Sequence, residues 1–145
     1  MADKPELEPG YRGYVAGVLD CDGSIWIGAD RSGASVRHTL RVNVTNTRRD
    51  LPVWFADHFG GKCQHYPKKK AQWRDEYRWQ VSGLSALPVL QVCLPYLVIK
   101  RRQALLGLEF ASTIIPGTKA IPESYRELRA KLHAEMVELN KKGNA

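Results

Sequence analysis

Two aspartates, Asp20 and Asp22, stand two residues apart where a run of small and apolar residues gives way to Gly23 and Ser24. If that run is a helix, both carboxylates sit at its negative end, where the macrodipole opposes them. Gly13, Gly17 and Asp20 then fall on one face, at spacings i, i+4 and i+7, with Ala16 beside them. Small residues at that spacing let two helix backbones approach closely, a steric rule worked out in membrane helices but general in origin. A close pair of such helices brings both copies of Asp22 to one symmetry axis. The carboxylates would repel each other there, and divalent cations relieve the repulsion. Mg2+ commonly takes one or two carboxylates together with water and phosphate oxygens, which suits phosphodiester hydrolysis. A calcium-binding EF-hand is excluded by register: counted from Asp20, position 6 is Ile25, not Gly, and position 12 is Arg31, not Glu.

The elements that must position these acids can be read from periodicity. Glu8–Cys21 is expected as a helix through Tyr11, Tyr14, Val15, Val18 and Leu19, stopped at Asp22-Gly23. Ser24–Ala29 and Val36–Asn46 then form a hairpin about a polar turn at Asp30-Arg31-Ser32-Gly33. The second strand alternates, with Val36, His38, Leu40, Val42 and Val44 on one face and Arg37, Thr39, Arg41, Asn43 and Thr45 on the other. A short helix follows, with Asp50 as N-cap, Pro52 in its first turn and Gly60-Gly61 at its end. Lys62–Lys68 and Trp73–Ser82 make a second hairpin, with Tyr77, Trp79 and Val81 facing inward. Helices are expected over Leu84–Leu94, Ile99–Ile115 and Pro122–Lys141, the last amphipathic through Leu128, Leu132, Met136 and Leu139. Two hairpins sharing one sheet, with helices on its apolar face, make an α+β layer architecture. One domain over residues 1–145, with a short N-terminal tail at 1–8, is the expected organisation.

The segment Tyr14–Ser24, YVAGVLDCDGS, resembles the LAGLIDADG signature, with Ala16, Gly17, Leu19, Asp20, Asp22 and Gly23 matching in place. Val15, Val18 and Cys21 are mild departures. The α-β-β-α-β-β-α order is similar to that family's core, whose curved antiparallel sheet is the DNA-binding face. The resemblance implies a homing endonuclease that cuts both strands of a long, roughly palindromic site with Mg2+, for which Mn2+ would substitute. It makes Asp22 a direct metal ligand, helped by the backbone carbonyl of Cys21, and places Asp20 at the helix end and interface, as a cap or a secondary ligand. It assigns Asn46 to a polar position near the metal and its water, and Lys100 to a pocket lysine that steadies phosphoryl charge. Arg48 or Arg49 supplies the remaining pocket cation; a length difference in that loop leaves both open. One motif in the chain implies a homodimer formed through Tyr11–Cys21, with Gly13, Ala16, Gly17 and Asp20 in the interface. A mobile intron or intein would encode it. The same fold also serves RNA maturases and regulators that bind DNA without cutting, and a basic nucleoid protein is a further reading.

Composition sets the remaining bounds. Hydrophobic residues at 43% and charged residues at 26% describe an ordinary globular chain, with no apolar run long enough for a membrane span. Met1–Pro9 lacks the basic and apolar regions of a secretory signal. Cys21, Cys63 and Cys93 lie far apart without metal spacing, so reduced, packed thiols in a reducing intracellular compartment are expected. His38, His58, His65 and His133 form no zinc pattern. A net charge of +7 suits a polyanionic partner such as double-stranded DNA.

The charges also sit where a DNA-reading sheet needs them. Trp26, Gly28 and Asp30 continue the first strand's polar face, and Arg37, Thr39, Arg41 and Asn43 line the second. Lys62, Gln64, Tyr66 and Lys68 belong to the third, and Arg74, Glu76, Arg78 and Gln80 to the fourth. Arg reads guanine, Asn or Gln reads adenine, and Glu accepts from cytosine in a major groove. Lys69 and Lys70 suit phosphate. Trp26 suits either a DNA sugar or a loop packed above it.

Overall fold

The computed structural model describes residues 8–117 and 120–141; most of the expected N-terminal tail therefore lies outside the described residues. The first helix, α1, runs Pro9–Asp22. Pro9 suits its first turn, where a missing N–H costs nothing. Its Val15, Ala16 and Leu19 are buried, and the Arg12 guanidinium donates to the carbonyls of Val92 (2.9 Å) and Gln91 (3.0 Å).

Strands β1 (Gly23–Ser32), β2 (Ser35–Asn46), β3 (Lys62–Tyr66) and β4 (Glu76–Ser82) form one antiparallel sheet in the order β1-β2-β4-β3. The first hairpin is longer than the sequence suggests. Ser32 pairs with Ser35, so the turn shrinks to Gly33 and Ala34, with Gly33 in the left-handed region at φ 63°. The second hairpin is shorter. Pro67 cannot donate to a ladder, and Lys68 and Arg74 fall in the connection instead of on strands. Asp75 holds that connection, accepting from the Lys68 amide (2.9 Å) and contacting His65 Nε2 (2.8 Å).

Inward residues of β1, β2 and β4 pack on α1, on α2 (Asp50–Phe59), on α3 (Leu87–Cys93) and on α4 (Arg101–Ala111). Ile25, Ile27, Leu40, Val42, Val44, Trp79 and Val81 are buried there with Phe55, Leu90, Ala104 and Phe110. Trp79, fully buried, donates its indole N–H to the Gly60 carbonyl at 2.7 Å. Gly61 has φ 85°, and a Cβ there would stand 2.9 Å from the Gln80 carbonyl oxygen. Glycine alone fits that close approach. The N-cap of α2 is Arg49, not Asp50; the Asp50 carboxylate turns to the Arg48 guanidinium at 2.9 Å.

The expected helix over Leu84–Leu94 divides into a 3-10 turn at Gly83–Ala86, α3, and a second 3-10 turn at Leu94–Tyr96. Pro88 and Pro95 each remove an amide from a continuous ladder. The last helix, α5, spans Glu123–Leu139. It covers the free edge of β1, where His133 Nδ1 donates to the Ile27 carbonyl (2.7 Å) and Asn140 Nδ2 to that of Ile25 (3.2 Å). Edge carbonyls satisfied in this way cannot recruit a foreign strand. No helix among the described residues is long and apolar enough to cross a membrane.

All three cysteines are free, but only Cys93 is fully packed; Cys63 is half-buried and Cys21 is exposed. Burial pushes the Cys93 thiol up to about 12 from an ordinary 9.0, so it stays protonated and inert. Because the folded value is raised, the stability it contributes is complete below 9.0 and is lost as pH climbs toward 12. Alkylation of the native protein near neutral pH should therefore label Cys21 and spare Cys93 until denaturant is added. Equal labelling of the two, read by peptide mass, would contradict the packing.

Candidate metal and nucleic-acid site

At the C-terminal end of α1 the two aspartates face different ways. A step of two residues turns a helix by about 200°. The Asp20 carboxylate points into the protomer, where Oδ2 accepts from the Val98 amide (2.9 Å) and Oδ1 from those of Ile99 (3.1 Å) and Lys100 (3.0 Å). These amides precede α4, whose N-cap position is Lys100. Free amides at a helix start bind anions well, and here the anion is a side chain. Helix α4 accordingly begins at Arg101 and not at Ile99, because the preceding amides point to Asp20. Three amide donors engage the carboxylate of Asp20, which is the capping role the sequence allowed it. The Lys100 ammonium donates to the Asp20 backbone carbonyl at 2.7 Å.

Asp22 points the other way and is exposed. Its Oδ2 accepts from Asn46 Nδ2 at 3.1 Å. Asn46 ends β2, and its own carbonyl oxygen receives the Arg48 amide at 2.7 Å, a local turn that fixes the side chain. The structure thus brings Asp22 and Asn46 together, and joins Asp20 to Lys100. It does not bring Arg48 or Arg49 to them. The Arg48 guanidinium is 76% exposed and paired with Asp50, while the Arg49 side chain is exposed.

The donor types at this end of α1 are those a hard divalent cation takes. Among the described residues no group of three or more His, Cys, Asp or Glu could hold a metal within one chain. One chain offers the Asp22 carboxylate and the main-chain oxygens of the last turn of α1. That of Asp20 is taken by Lys100, and the Cys21 carbonyl lies beside Asp22. Oxygen donors of this kind select Mg2+ or Mn2+ over zinc.

One face of α1 has no neighbour among the described residues. A Cβ built at Gly10, Gly13 or Gly17 meets nothing within 4 Å, and Tyr14 beside them is 49% exposed. Ala16, expected on this face, is only 1% exposed. At 100° per residue it has rotated round to the core beside Val15 and Leu19. Tyr11 and Tyr14 pack on Trp54 of α2 at ring separations of 5.7 and 5.1 Å, flanking the glycine stripe.

The register aligns the polar face of the sheet. Trp26 faces Arg41, Gly28 faces Thr39, Asp30 faces Arg37, and Asn43 lies between Ser24 and Gln80. Lys62, Gln64 and Tyr66 pair with Gln80, Arg78 and Glu76. Neighbours hold several of these side chains. Arg41 bonds Asp30 at 3.2 Å and lies over the Trp26 ring at 4.9 Å. Arg78 bonds the Thr45 hydroxyl at 3.2 Å and lies over Tyr66, whose hydroxyl donates to Gln64 Oε1 at 2.9 Å. Gly28 is buried beneath Trp26, since a Cβ there would meet the ring at 2.6 Å, so the indole presents the surface at that position. Sequence reasoning passed over Ser24, which shares this face, and Asp75, which organises the β3–β4 connection. An acid directly after the run of Lys68, Lys69, Lys70 and Arg74 was the available signal.

This architecture is that of known DNA-binding endonucleases. No family model matches the chain, and no curated protein matches it. Among solved structures, it is similar to the homing endonuclease I-CvuI in complex with a DNA target, at 23% identity and a TM-score of 0.73, over 92% of this chain and 84% of that one. It is likewise similar to the archaeal intron-encoded homing endonuclease I-Vdi141I complexed with DNA, at 20% identity and a TM-score of 0.73, over 91% and 85% of the two chains. The LAGLIDADG homing endonuclease I-GzeII, in complex with its DNA target, matches over 86% of this chain but 44% of its own length, at 14% identity and a TM-score of 0.69. The chain has the LAGLIDADG homing-endonuclease fold.

Removing the Asp20 carboxylate strips three amides of their acceptor. Asp20→Ala should lower unfolding stability by about 2 kcal/mol in urea titration, the scale of a lost charged cap. Asp22→Asn, at an exposed group with one side-chain partner, should cost far less; equal losses would contradict the division of roles.

Proposed function

We propose that two copies of this chain pair through the open glycine face of α1 and hydrolyse both strands of a long, near-palindromic DNA site. The observation that carries this reading is an exposed Asp22, held by Asn46, at the end of a helix whose Gly13–Gly17 face has no partner. A two-fold pair about that face sets the two Asp22 carboxylates side by side. Mg2+ bound there, or Mn2+ in its place, supplies positive charge to the phosphate and lowers the pKa of a bound water. Asn46 fixes the Asp22 rotamer, and the Cys21 carbonyl is the second oxygen donor. Lys100, tethered to the Asp20 carbonyl, places its ammonium at the head of α4, where it steadies charge on the phosphate. Arg48 and Arg49 reach DNA phosphates from the loop.

The sheet reads base edges through Arg37, Arg41, Asn43, Arg78 and Gln80, with Thr39, Lys62, Gln64 and Glu76 completing the surface. Trp26 shields Gly28 and carries Arg41, leaving its ring edge to sugars. Lys68, Lys69, Lys70 and Arg74, on the β3–β4 connection, contact backbone phosphate and set the salt dependence. Matching 84% of I-CvuI but 44% of I-GzeII supports a chain that supplies one half-site. An origin in a mobile intron or intein and a reducing cellular compartment belong to the same reading.

The test is cleavage of a randomised duplex library in Mg2+, with the cut ends sequenced. The parent chain should yield one long, near-palindromic site. Asp22→Asn should fall to background cutting while retaining affinity for that site; full activity in the variant would remove Asp22 from catalysis. Binding without cutting in the parent would instead mark a regulator, and preference for RNA a maturase. Pairing is tested separately. Because a side chain at Gly17 meets nothing within the protomer, Gly17→Leu should leave the fold intact. Its mass by light scattering should drop from twice the chain mass to 16.4 kDa. A dimer that survives this change does not use the glycine face.

A further inference from the structure

A concave site lies away from the glycine stripe, on the helix-covered side of the sheet. It is a cavity of about 710 Å³ between the outer half of β2, the end of α4 and the start of α5, within the range of small-ligand sites. No Asp or Glu lines it among the described residues, while Arg37, Arg126, Arg129 and His38 do. Its inner wall is apolar, built from Leu40, Phe110 and Ile114 with neighbouring isoleucines.

The arginines are set as a receptor would set them. Arg129 donates Nε to the Thr113 hydroxyl (2.7 Å) and Nη2 to the Thr113 carbonyl (2.8 Å), and its guanidinium lies over the Phe110 ring at 5.2 Å. This fixes the guanidinium plane and leaves Nη1 without a protein acceptor among the described residues. Arg126 makes one long bond, 3.4 Å to the Ile121 carbonyl. Burial first, and then the charges of Arg37 and Arg126, make the Arg129 cation less favourable than an ordinary guanidinium. Burial, His133 and Arg129 keep His38 below its ordinary value, so the uncompensated charge is that of the arginines.

The cavity also has a main-chain wall. Strand β4 pairs with β2 only from Arg41 to Asn46, so the edge of β2 over Ser35–Leu40 that faces away from β1 has no strand beside it among the described residues. The 3-10 turn at Gly83–Ala86 approaches β2 without a strand ladder, and Gly83 lines the cavity beside this edge. An anion, an apolar body and a hydrogen-bonding edge are the three parts of a nucleotide.

We propose that this cavity binds a nucleotide, with the phosphate on Arg126 and Arg129 and the base and sugar against the apolar wall and the edge of β2. The nucleotide is either free or part of a polynucleotide strand leaving the sheet past Arg37. The site is independent of Asp22 and of the cleavage reading.

Isothermal titration of the full-length protein, without divalent metal, tests it with four probes: adenosine 5′-monophosphate, adenosine, inorganic phosphate and a 5′-phosphorylated hexadeoxynucleotide. At least one of the two phosphorylated nucleotide probes should bind saturably, one per chain, and adenosine should not. Arg126→Gln should weaken that binding about ten-fold, the loss of one charge-assisted bond, as should Arg129→Gln. Arg126 holds little of the fold, so its variant decides the matter even if Arg129→Gln unfolds on loss of the Thr113 anchor. Binding of the monophosphate assigns a free nucleotide; binding of the hexamer alone assigns a strand. The proposal is overturned if neither phosphorylated probe binds, if Arg126→Gln binds as the parent does, or if inorganic phosphate binds as tightly as the nucleotide.

Discussion

The carboxylate of Asp20, accepting the amides of Val98, Ile99 and Lys100, joins chain segments nearly eighty residues apart. It fixes where α1 ends, where α4 begins and where the Lys100 side chain lies. A charged acceptor with three amide donors is among the stronger polar contacts a protein makes. Because it consumes one acid of the pair, it frees the other. Asp22 can sit exposed at an unfavourable helix end only because a neighbour already ties that end to the body of the protein.

The rest of the protomer serves the same end. Arg12 clamps α1 to the carbonyls at the close of α3, and Trp54 receives Tyr11 and Tyr14 from the other side. Held on two flanks by its neighbours and from below by the sheet, α1 leaves the Gly10–Gly13–Gly17 stripe uncovered among the described residues. The sheet is organised by the same axis. Strand β1 springs directly from the end of α1 at Gly23 and β2 pairs along it, so the polar face is fixed relative to Asp22.

Much of this was legible in the sequence. The strict alternation of β2 gave both faces of the sheet, because a half-buried strand has a period of two. The acid pair pointed to the end of α1, where the structure sets Asp22 beside Asn46 and Asp20 beside Lys100. What stayed hidden was long-range. Nothing near Ile99 announces that its amide is spoken for by Asp20, so the start of α4 was read too early. Ala16 was read on the glycine face because small size alone does not distinguish an interface from a tight core. Lys68 and Arg74 seemed to extend strands that Pro67 and Asp75 in fact cut short. The arginine cavity has no local signature, since Arg37 and Arg129 meet only when α5 folds back over β2.

The two halves of the reading surface differ in how firmly they are built. Strands β1 and β2 rest on buried isoleucine, leucine and valine, whereas β3 has one neighbouring strand and only one residue, Cys63, that is not exposed. Its Lys62, Gln64 and Tyr66 pair with β4, with α2 the other element against the strand. Substitutions there disturb no core and carry little penalty in folding. The outer strand can therefore exchange its side chains freely, while β1 and β2, whose inward residues form the core, hold the centre of the sheet in place.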